Sequence, residues 1–265
     1  TQNWTLTEAP ASAYSDELLQ SAKDFSDTAA IVLSRVAGEG HNDMPKDVTQ
    51  ASYDNTANGY EDFAAGEHYL QLSQTEEDLV NLVCNNFDNV IVLYNSANPM
   101  ELGFVEQYDQ IKAALWCQGP GNVGFEALGK ILTGDVNPSG RTSDTFIYDM
   151  TATPWWNNWE ATHYSNMEDM AVEGMNSGMA QTYYPSFTNY VEGIYVGYKY
   201  YETADDDGAI DYDATVQYPF GYGLSYTTFT QEMSNLTVND GEITFDVTVT
   251  NTGDVAGKDV VEIYY

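Results

Sequence analysis

A glutamate with a glycine on each side, Glu39, is the residue in this sequence best placed to do chemistry. It follows a short apolar run at residues 29–33, and Gly38 and Gly40 let the backbone turn sharply and let a ligand approach closely. The pattern predicts a carboxyl group that projects from a strand end on flexible backbone. Such a group could give or take a proton, but a glycine-flanked glutamate taken alone is more often solvated or structural.

Other chemical motifs are weaker. Gly119, Gly121 and Gly124 do not fit the G-x-G-x-x-G spacing of dinucleotide sites, so this stretch is interpreted as a turn. The three histidines have no metal-ligand spacing, and no combination of Ser, His and Asp lies in a nucleophile-elbow context. The sequence therefore predicts neither a metal nor a cofactor.

Helical and strand patterns alternate along the first half of the chain. Apolar runs predict strands at residues 29–33, 90–94 and 111–116, the first of them covered on both faces. Ser73 and Glu76 form a capping box ahead of a helix. The remaining helices are predicted at residues 16–25, 100–107 and 123–132. This alternation is typical of an α/β fold, a three-layer sandwich with a mostly parallel sheet.

The connection after the first strand is the place where function is expected. It runs from Arg35 to about Leu72, much longer than the usual few residues, and loops of that length are commonly functional. Ligand chemistry in parallel sheets gathers at the carboxyl ends of strands, where this loop begins.

The second half of the chain changes character. Residues 151–186 show no periodicity and are interpreted as irregular structure. The aromatic residues between positions 195 and 226 could stack on a sugar, but packing is the favoured interpretation. Apolar residues alternate from 243 to 249, a turn follows at 251–253, and residues 260–263 predict a further strand, as at the start of a β-sandwich.

The composition narrows the class of partner. Forty-one acidic residues stand against 8 basic ones, for a net charge of −33, which disfavours nucleic acid and anionic membrane surfaces but not a neutral substrate. Cys84 and Cys117 lie in apolar stretches, which is typical of buried free thiols, although their spacing leaves a disulfide open. No apolar stretch is long enough to span a membrane. The compartment, cytoplasmic or secreted, and the oligomeric state, including a homo-oligomer, stay open.

Several segments, in order, resemble the glycoside hydrolase family 3 pattern. SRVAGEG at residues 34–40 is similar to the family's SR.(A/S)GEG element. Further similar stretches are VIVLYNSANPMEL (90–102), GPG (119–121), GKILTGDVNPSGRTSDTF (129–146), EGIYVGYKYYE (192–202), YPFGYGLSYTTF (218–229) and VTVTNTGDVAGKDVVEIYY (247–265). Phrases such as NPMELGF resemble the bacterial branch in which the sandwich domain precedes the barrel.

The resemblance implies an organisation in domains. Residues 1–229 would be a six-stranded α/β sandwich domain, and residues 230–265 the beginning of a fibronectin type III-like domain. In the family this sandwich domain docks beside a (β/α)8 barrel that supplies an Asp nucleophile and most sugar-binding residues. No barrel pattern occurs in these 265 residues. The chain is therefore expected to be one piece of a longer polypeptide or of a cleaved one, with the barrel elsewhere.

The resemblance also implies roles for residues. Glu39 falls on the family's general acid/base, which makes the chain part of an exo-acting, retaining β-glucosidase. A β-xylosidase and a non-catalytic carbohydrate-binding or scaffold domain are the alternatives. Arg35 is expected to orient the loop by hydrogen bonds to carbonyls or carboxylates, with direct substrate contact as the alternative. His41 stands where relatives commonly carry Tyr. His41 and Asp43 line the outer subsite or order the loop.

Overall fold

The computed structural model describes residues 9–35, 63, 67–156 and 162–264, so Glu39, His41 and Asp43 lie outside the described residues. The α-helices of the described ranges are α1 (Asp16–Phe25), α2 (Gln74–Cys84), α3 (Phe125–Leu132), α4 (Tyr198–Asp206) and α5 (Tyr212–Thr215). Short 3₁₀ helices occupy Ala11–Ala13, Gly103–Gln107, Met150–Ala152 and Met167–Met170. The strands are β1 (Thr28–Ser34), β2 (Asn89–Asn95), β3 (Ile111–Trp116), β4 (Phe146–Ile147), β5 (Thr162–His163), β6 (Val172–Asn176), β7 (Met179–Tyr183), β8 (Ser186–Phe187), β9 (Val216–Tyr218), β10 (Phe229–Asn239) and β11 (Glu242–Asn251).

A parallel sheet in the order β1-β2-β3 forms the centre of the fold. Its register sets Ser34 beside Asn95 and Tyr94 beside Trp116, so the carboxyl ends of the strands meet at one edge. Parallel strands need a long crossover, and α2 provides the helix of the crossover from β1 to β2. The three strands predicted at residues 29–33, 90–94 and 111–116 and the α/β class are confirmed. The helix predicted at residues 100–107 is a 3₁₀ helix, Gly103–Gln107.

Helix α2 begins with the predicted capping box. The Ser73 hydroxyl accepts a hydrogen bond from the Glu76 backbone N–H, and the Glu76 carboxylate accepts one from the Ser73 backbone N–H. The apolar side of α2 then buries Val80 and Cys84 in the core cluster that contains Ile31 of the sheet. Local capping and burial thus both fix where α2 starts and which side faces the sheet.

The other face of β1 departs from the prediction. Ile31 and Leu33 are 2% and 1% exposed, but Val32 between them keeps 59% of its surface exposed. The expectation that this strand is covered on both faces is therefore wrong for the described part of the chain. β1 is an edge strand of the three-stranded sheet, and the described residues cover it on its α2 side.

The predicted aromatic packing lies around β4 and β9, which pair antiparallel with each other. The Phe146 ring meets Trp116 edge-on at 4.9 Å and Tyr218 at 6.2 Å, and Tyr198 stacks on Phe220 at 5.0 Å. Tyr198 and Tyr218 thus pack against other rings, whereas Tyr195 and Tyr226 stay exposed, so the packing prediction holds for part of the aromatic cluster. The resemblance implied a six-stranded sheet. In the described ranges, three strands form the parallel sheet and the short β4–β9 pair stands separately.

The segment predicted to be irregular contains two antiparallel strand pairs, β5 with β8 and β6 with β7. β6 and β7 form a hairpin whose two turn residues, Ser177 and Gly178, have φ of 50° and 86°, the conformation that two-residue hairpin turns require. Almost every residue of this hairpin is exposed. The sequence of this hairpin therefore has no alternation of apolar and polar residues. The Ser177-Gly178 pair is the sequence feature that could have predicted the turn.

A second hairpin, β10–β11, turns at Asp240 and Gly241. The Arg141 guanidinium connects this hairpin to the rest of the chain. It donates to the Gly223 carbonyl and, at 2.6 Å, to the Asp259 carboxylate. Asp259 in turn accepts a hydrogen bond from Gln231 of β10. No strand forms at residues 260–263 in the described ranges, because no neighbouring strand pairs with them. The fibronectin type III-like assignment and the boundary at 229/230 stay predictions.

Both cysteines are free thiols. Cys84 is buried and Cys117 half-buried, and burial raises the pKa of each thiol.

Among the helices of the described residues, none combines the length and apolar character that a membrane crossing requires.

The net charge of −33 should make stability depend on salt. Self-repulsion destabilises a compact state, and the Debye length falls from about 10 Å at 0.1 M to about 3 Å at 1 M ionic strength. We expect the melting temperature to rise between these concentrations of KCl, by about 2–4 °C for each kcal/mol of repulsion removed. Choline chloride at equal ionic strength should give the same gain, measured by circular dichroism. A melting temperature that is flat or falls in both salts would contradict a screening effect.

Candidate functional site

The candidate site begins at the carboxyl edge of the parallel sheet. β1 ends at Ser34 and β2 at Asn95, and each is followed at once by polar residues. Arg35, the first residue of the long connection after β1, is only 5% exposed. A buried arginine needs hydrogen-bond acceptors for its five N–H donors. The contacts of Arg35 therefore show which segments meet at this edge of the sheet.

The Arg35 guanidinium connects both ends of the long connection. Its Nε donates to the Tyr69 carbonyl at 2.6 Å and its Nη2 to the Gln71 carbonyl at 2.6 Å. Nη1 also donates to the carbonyl of the preceding residue, Ser34, at 2.7 Å. The guanidinium carbon lies 5.4 Å from the centre of the Tyr69 ring, a cation–π distance. The chain therefore contacts the same cation where it leaves β1 and again shortly before it enters α2.

Glu76 supplies the countercharge. Its two carboxylate oxygens accept from Nη1 and Nη2 of Arg35, each at 2.6 Å, and both side chains are 2% exposed. A bidentate pair of this kind is short and directional. Removing two charges from water is costly, so either partner left alone would be an uncompensated buried charge.

His68 and Glu101 form a second connection beside the first. The His68 Nδ1 accepts from the Leu70 backbone N–H at 3.2 Å, which places the proton on Nε2, 3.0 Å from Glu101. The same Glu101 oxygen accepts from the Met150 backbone N–H at 2.7 Å. The His68 ring, 4.7 Å from that of Trp156, is nearly buried. Residues 68–70 are thereby held to the segment after β2.

Tyr94, near the end of β2, adds a neutral phenol to this edge. Burial raises the pKa of Tyr94 to about 12, so its hydroxyl stays protonated at any ordinary pH.

In the described part of the chain, no group of three or more His, Cys, Asp or Glu side chains lies close enough together to hold a metal ion.

Of the predicted site residues, the structure places Arg35 and leaves Glu39, His41 and Asp43 outside its described ranges. Arg35 contacts carbonyls and a carboxylate. Sequence reasoning did not assign Glu76, His68 or Glu101 to the site. The sequence pattern predicts Glu76 as a capping residue, and the same carboxylate also binds Arg35. The position of His68 in the sequence carries no metal-ligand spacing and gives no other sign of a role.

Comparison with known proteins gives a consistent result. A family model described as the glycosyl hydrolase family 3 C-terminal domain matches residues 7–198. The chain is similar to β-glucosidase A of Butyrivibrio fibrisolvens, with 33% identity over 272 residues that cover 96% of this chain and 29% of that protein.

Two solved structures share the fold. A β-glucosidase from Paenibacillus barengoltzii aligns with a TM-score of 0.66 and 27% identity over 95% of this chain and 22% of its own. β-Glucosidase 3B from Thermotoga neapolitana, in complex with glycerol, aligns with a TM-score of 0.63 and 30% identity over 92% of this chain and 28% of its own. The chain thus spans less than a third of the length of these relatives. Matched over most of its length by the family model, the chain belongs to glycosyl hydrolase family 3 and corresponds to its C-terminal region.

Proposed function

We propose that this chain supplies the general acid/base, Glu39, of a retaining, exo-acting β-glucosidase. The observation that carries the proposal is the position of the GEG segment. It begins three residues after Arg35, which is buried at the carboxyl edge of the sheet, in a chain that belongs to this family. Ligands of parallel sheets bind at that edge. The relatives named above are β-glucosidases.

The chemistry requires two carboxyl groups. In retaining hydrolysis they lie about 5–5.5 Å apart on opposite sides of the scissile bond. One attacks the anomeric carbon, and the other, protonated, gives its proton to the departing oxygen. The second then takes a proton from the water that cleaves the glycosyl-enzyme. Glu39 has this second role, and a barrel outside these 265 residues supplies an Asp for the first. His41 and Asp43 border the outer subsite.

The substrate class is a terminal β-glucosyl residue of a β-glucoside or a short oligosaccharide. A surface with a net charge of −33 repels anionic ligands and leaves neutral sugars unaffected. Sugar choice, glucose against xylose, depends mostly on residues of the barrel.

The 265-residue chain by itself should hydrolyse no glycoside, because an acid/base without a nucleophile has no covalent intermediate to form or break. The measurement is release of nitrophenol from 4-nitrophenyl β-glucoside by the purified chain. The complete enzyme, at the same molar concentration, serves as the positive control. Turnover by the isolated chain above that of a Glu39→Ala chain would overturn the division of the two carboxyl groups between domains.

A further inference from the structure

The long connection that carries Glu39 is closed at its base by one buried ion pair. Arg35 is its first residue, and Tyr69 and Gln71 lie near its end, yet the carbonyls of both accept hydrogen bonds from the Arg35 guanidinium at 2.6 Å. Two points 34 and 36 residues apart in sequence therefore meet at a single side chain.

Glu76 fixes the orientation of that guanidinium. Each of the carbonyls accepts one hydrogen bond from the guanidinium, whereas the Glu76 carboxylate binds both terminal nitrogens at once and so sets the plane of the group. Glu76 is itself held, because its Oε2 accepts from the Ser73 backbone N–H at 2.9 Å at the start of α2. Through Glu76, the Arg35 guanidinium is held at the start of α2.

The consequence concerns the direction in which the chain leaves the sheet. Arg35 lies four positions before Glu39. The same guanidinium also donates to the Ser34 carbonyl at 2.7 Å, so a rotation of the guanidinium would break a contact with the backbone of this strand end. Proton transfer depends steeply on geometry, since a displacement of about 1 Å can cost about 10²-fold in rate. A group that holds the strand end can therefore affect the rate of proton transfer by Glu39, although it lies away from the substrate.

We propose that Glu76 is a positioning residue for glycoside cleavage, acting through Arg35 on the placement of Glu39. The proposal rests on the proposed function. It assigns Glu76 no contact with substrate. Its effect is confined to the steps in which Glu39 transfers a proton, and this distinguishes it from a residue that only stabilises the fold.

The test is Glu76→Gln in the complete enzyme. Glutamine keeps the size and one acceptor, but its amide N–H₂ faces the donors of Arg35 and breaks the fork. We measure kcat/KM for cellobiose, whose leaving group needs a proton, and for 2,4-dinitrophenyl β-glucoside, whose leaving group does not. General acid catalysis contributes about 10²–10⁴-fold. We expect a loss of about 10–100-fold on cellobiose and less than about 3-fold on the activated substrate.

Ser73→Ala is the matched control. It removes the hydroxyl cap from the same helix end and keeps the Ser73 N–H, the Glu76 carboxylate and Arg35. It should leave the ratio of the two kcat/KM values within about 2-fold of the unsubstituted enzyme, because the ion pair is intact. A general effect of destabilising α2 would instead move Ser73→Ala and Glu76→Gln together.

Equal losses on both substrates in Glu76→Gln would overturn the proposal and leave Glu76 a structural residue. Should that variant fail to fold, Glu76→Asp keeps the charge and retracts the carboxylate by one methylene. An unchanged ratio in a folded Glu76→Asp enzyme would equally overturn it. Glu39→Ala separates the two hypotheses. If it does not discriminate between the substrates, the proposed function fails; if it does and the Glu76 variants do not, only this inference fails.

Discussion

Replacing Glu39 by alanine in the complete enzyme is expected to reduce kcat/KM for cellobiose by at least about 10²–10⁴-fold, the contribution of general acid catalysis. The same variant should retain kcat/KM for 2,4-dinitrophenyl β-glucoside within about 10-fold, because that leaving group departs without a proton. Activity on each substrate is measured by initial rates. A matched Glu17→Ala substitution, at an exposed carboxylate in the first turn of α1, should change neither value.

Azide extends this prediction to the second step. Without Glu39 no base activates water, so the glycosyl-enzyme should accumulate and kcat on the activated substrate should fall. Azide is already a strong nucleophile and needs no base. It should attack the anomeric carbon, displace the enzyme carboxylate and give β-glucosyl azide with a raised kcat. If Glu39→Ala hydrolyses cellobiose at the original rate, or if azide has no effect on a slowed enzyme, the assignment of Glu39 is wrong.

Replacing Arg35 by methionine should cause the largest loss of stability. The substitution leaves the Glu76 carboxylate, 2% exposed, without its countercharge. Breaking a buried pair in this way costs about 3–5 kcal/mol. It also leaves the Tyr69 and Gln71 carbonyls without the Arg35 donors. The free energy of unfolding is measured by urea denaturation monitored by circular dichroism.

Two comparisons identify the cause of that loss. Arg141→Met removes an arginine from the Arg141–Asp259 pair, whose side chains are 18% and 10% exposed, so it should cost less than Arg35→Met. Arg35→Met combined with Glu76→Leu removes both buried charges. It should recover part of the stability, because the penalty of the unpaired carboxylate disappears. Additive losses in the double variant would show that the buried charge is not the source.

Local patterns determined much of the fold. The sequence predicted β1, β2, β3 and the start of α2, because an apolar run or a capping box reports on contacts within a few residues. The same rule explains the failures. The β6–β7 hairpin is exposed on both faces and carries no alternation, and the apolar run of β1 did not reveal that Val32 stays exposed.

The site divides in the same way. The sequence by itself identified a glycine-flanked carboxyl group after a predicted strand, because residue types, their spacing and the resemblance to a family can all be observed in the sequence. Only the tertiary structure paired Arg35 with Glu76, 41 positions away, and His68 with Glu101, 33 positions away. No local pattern encodes such pairs. A buried charge is satisfied by whichever partner the fold brings within hydrogen-bond distance, and that choice is made when the sheet and α2 pack together.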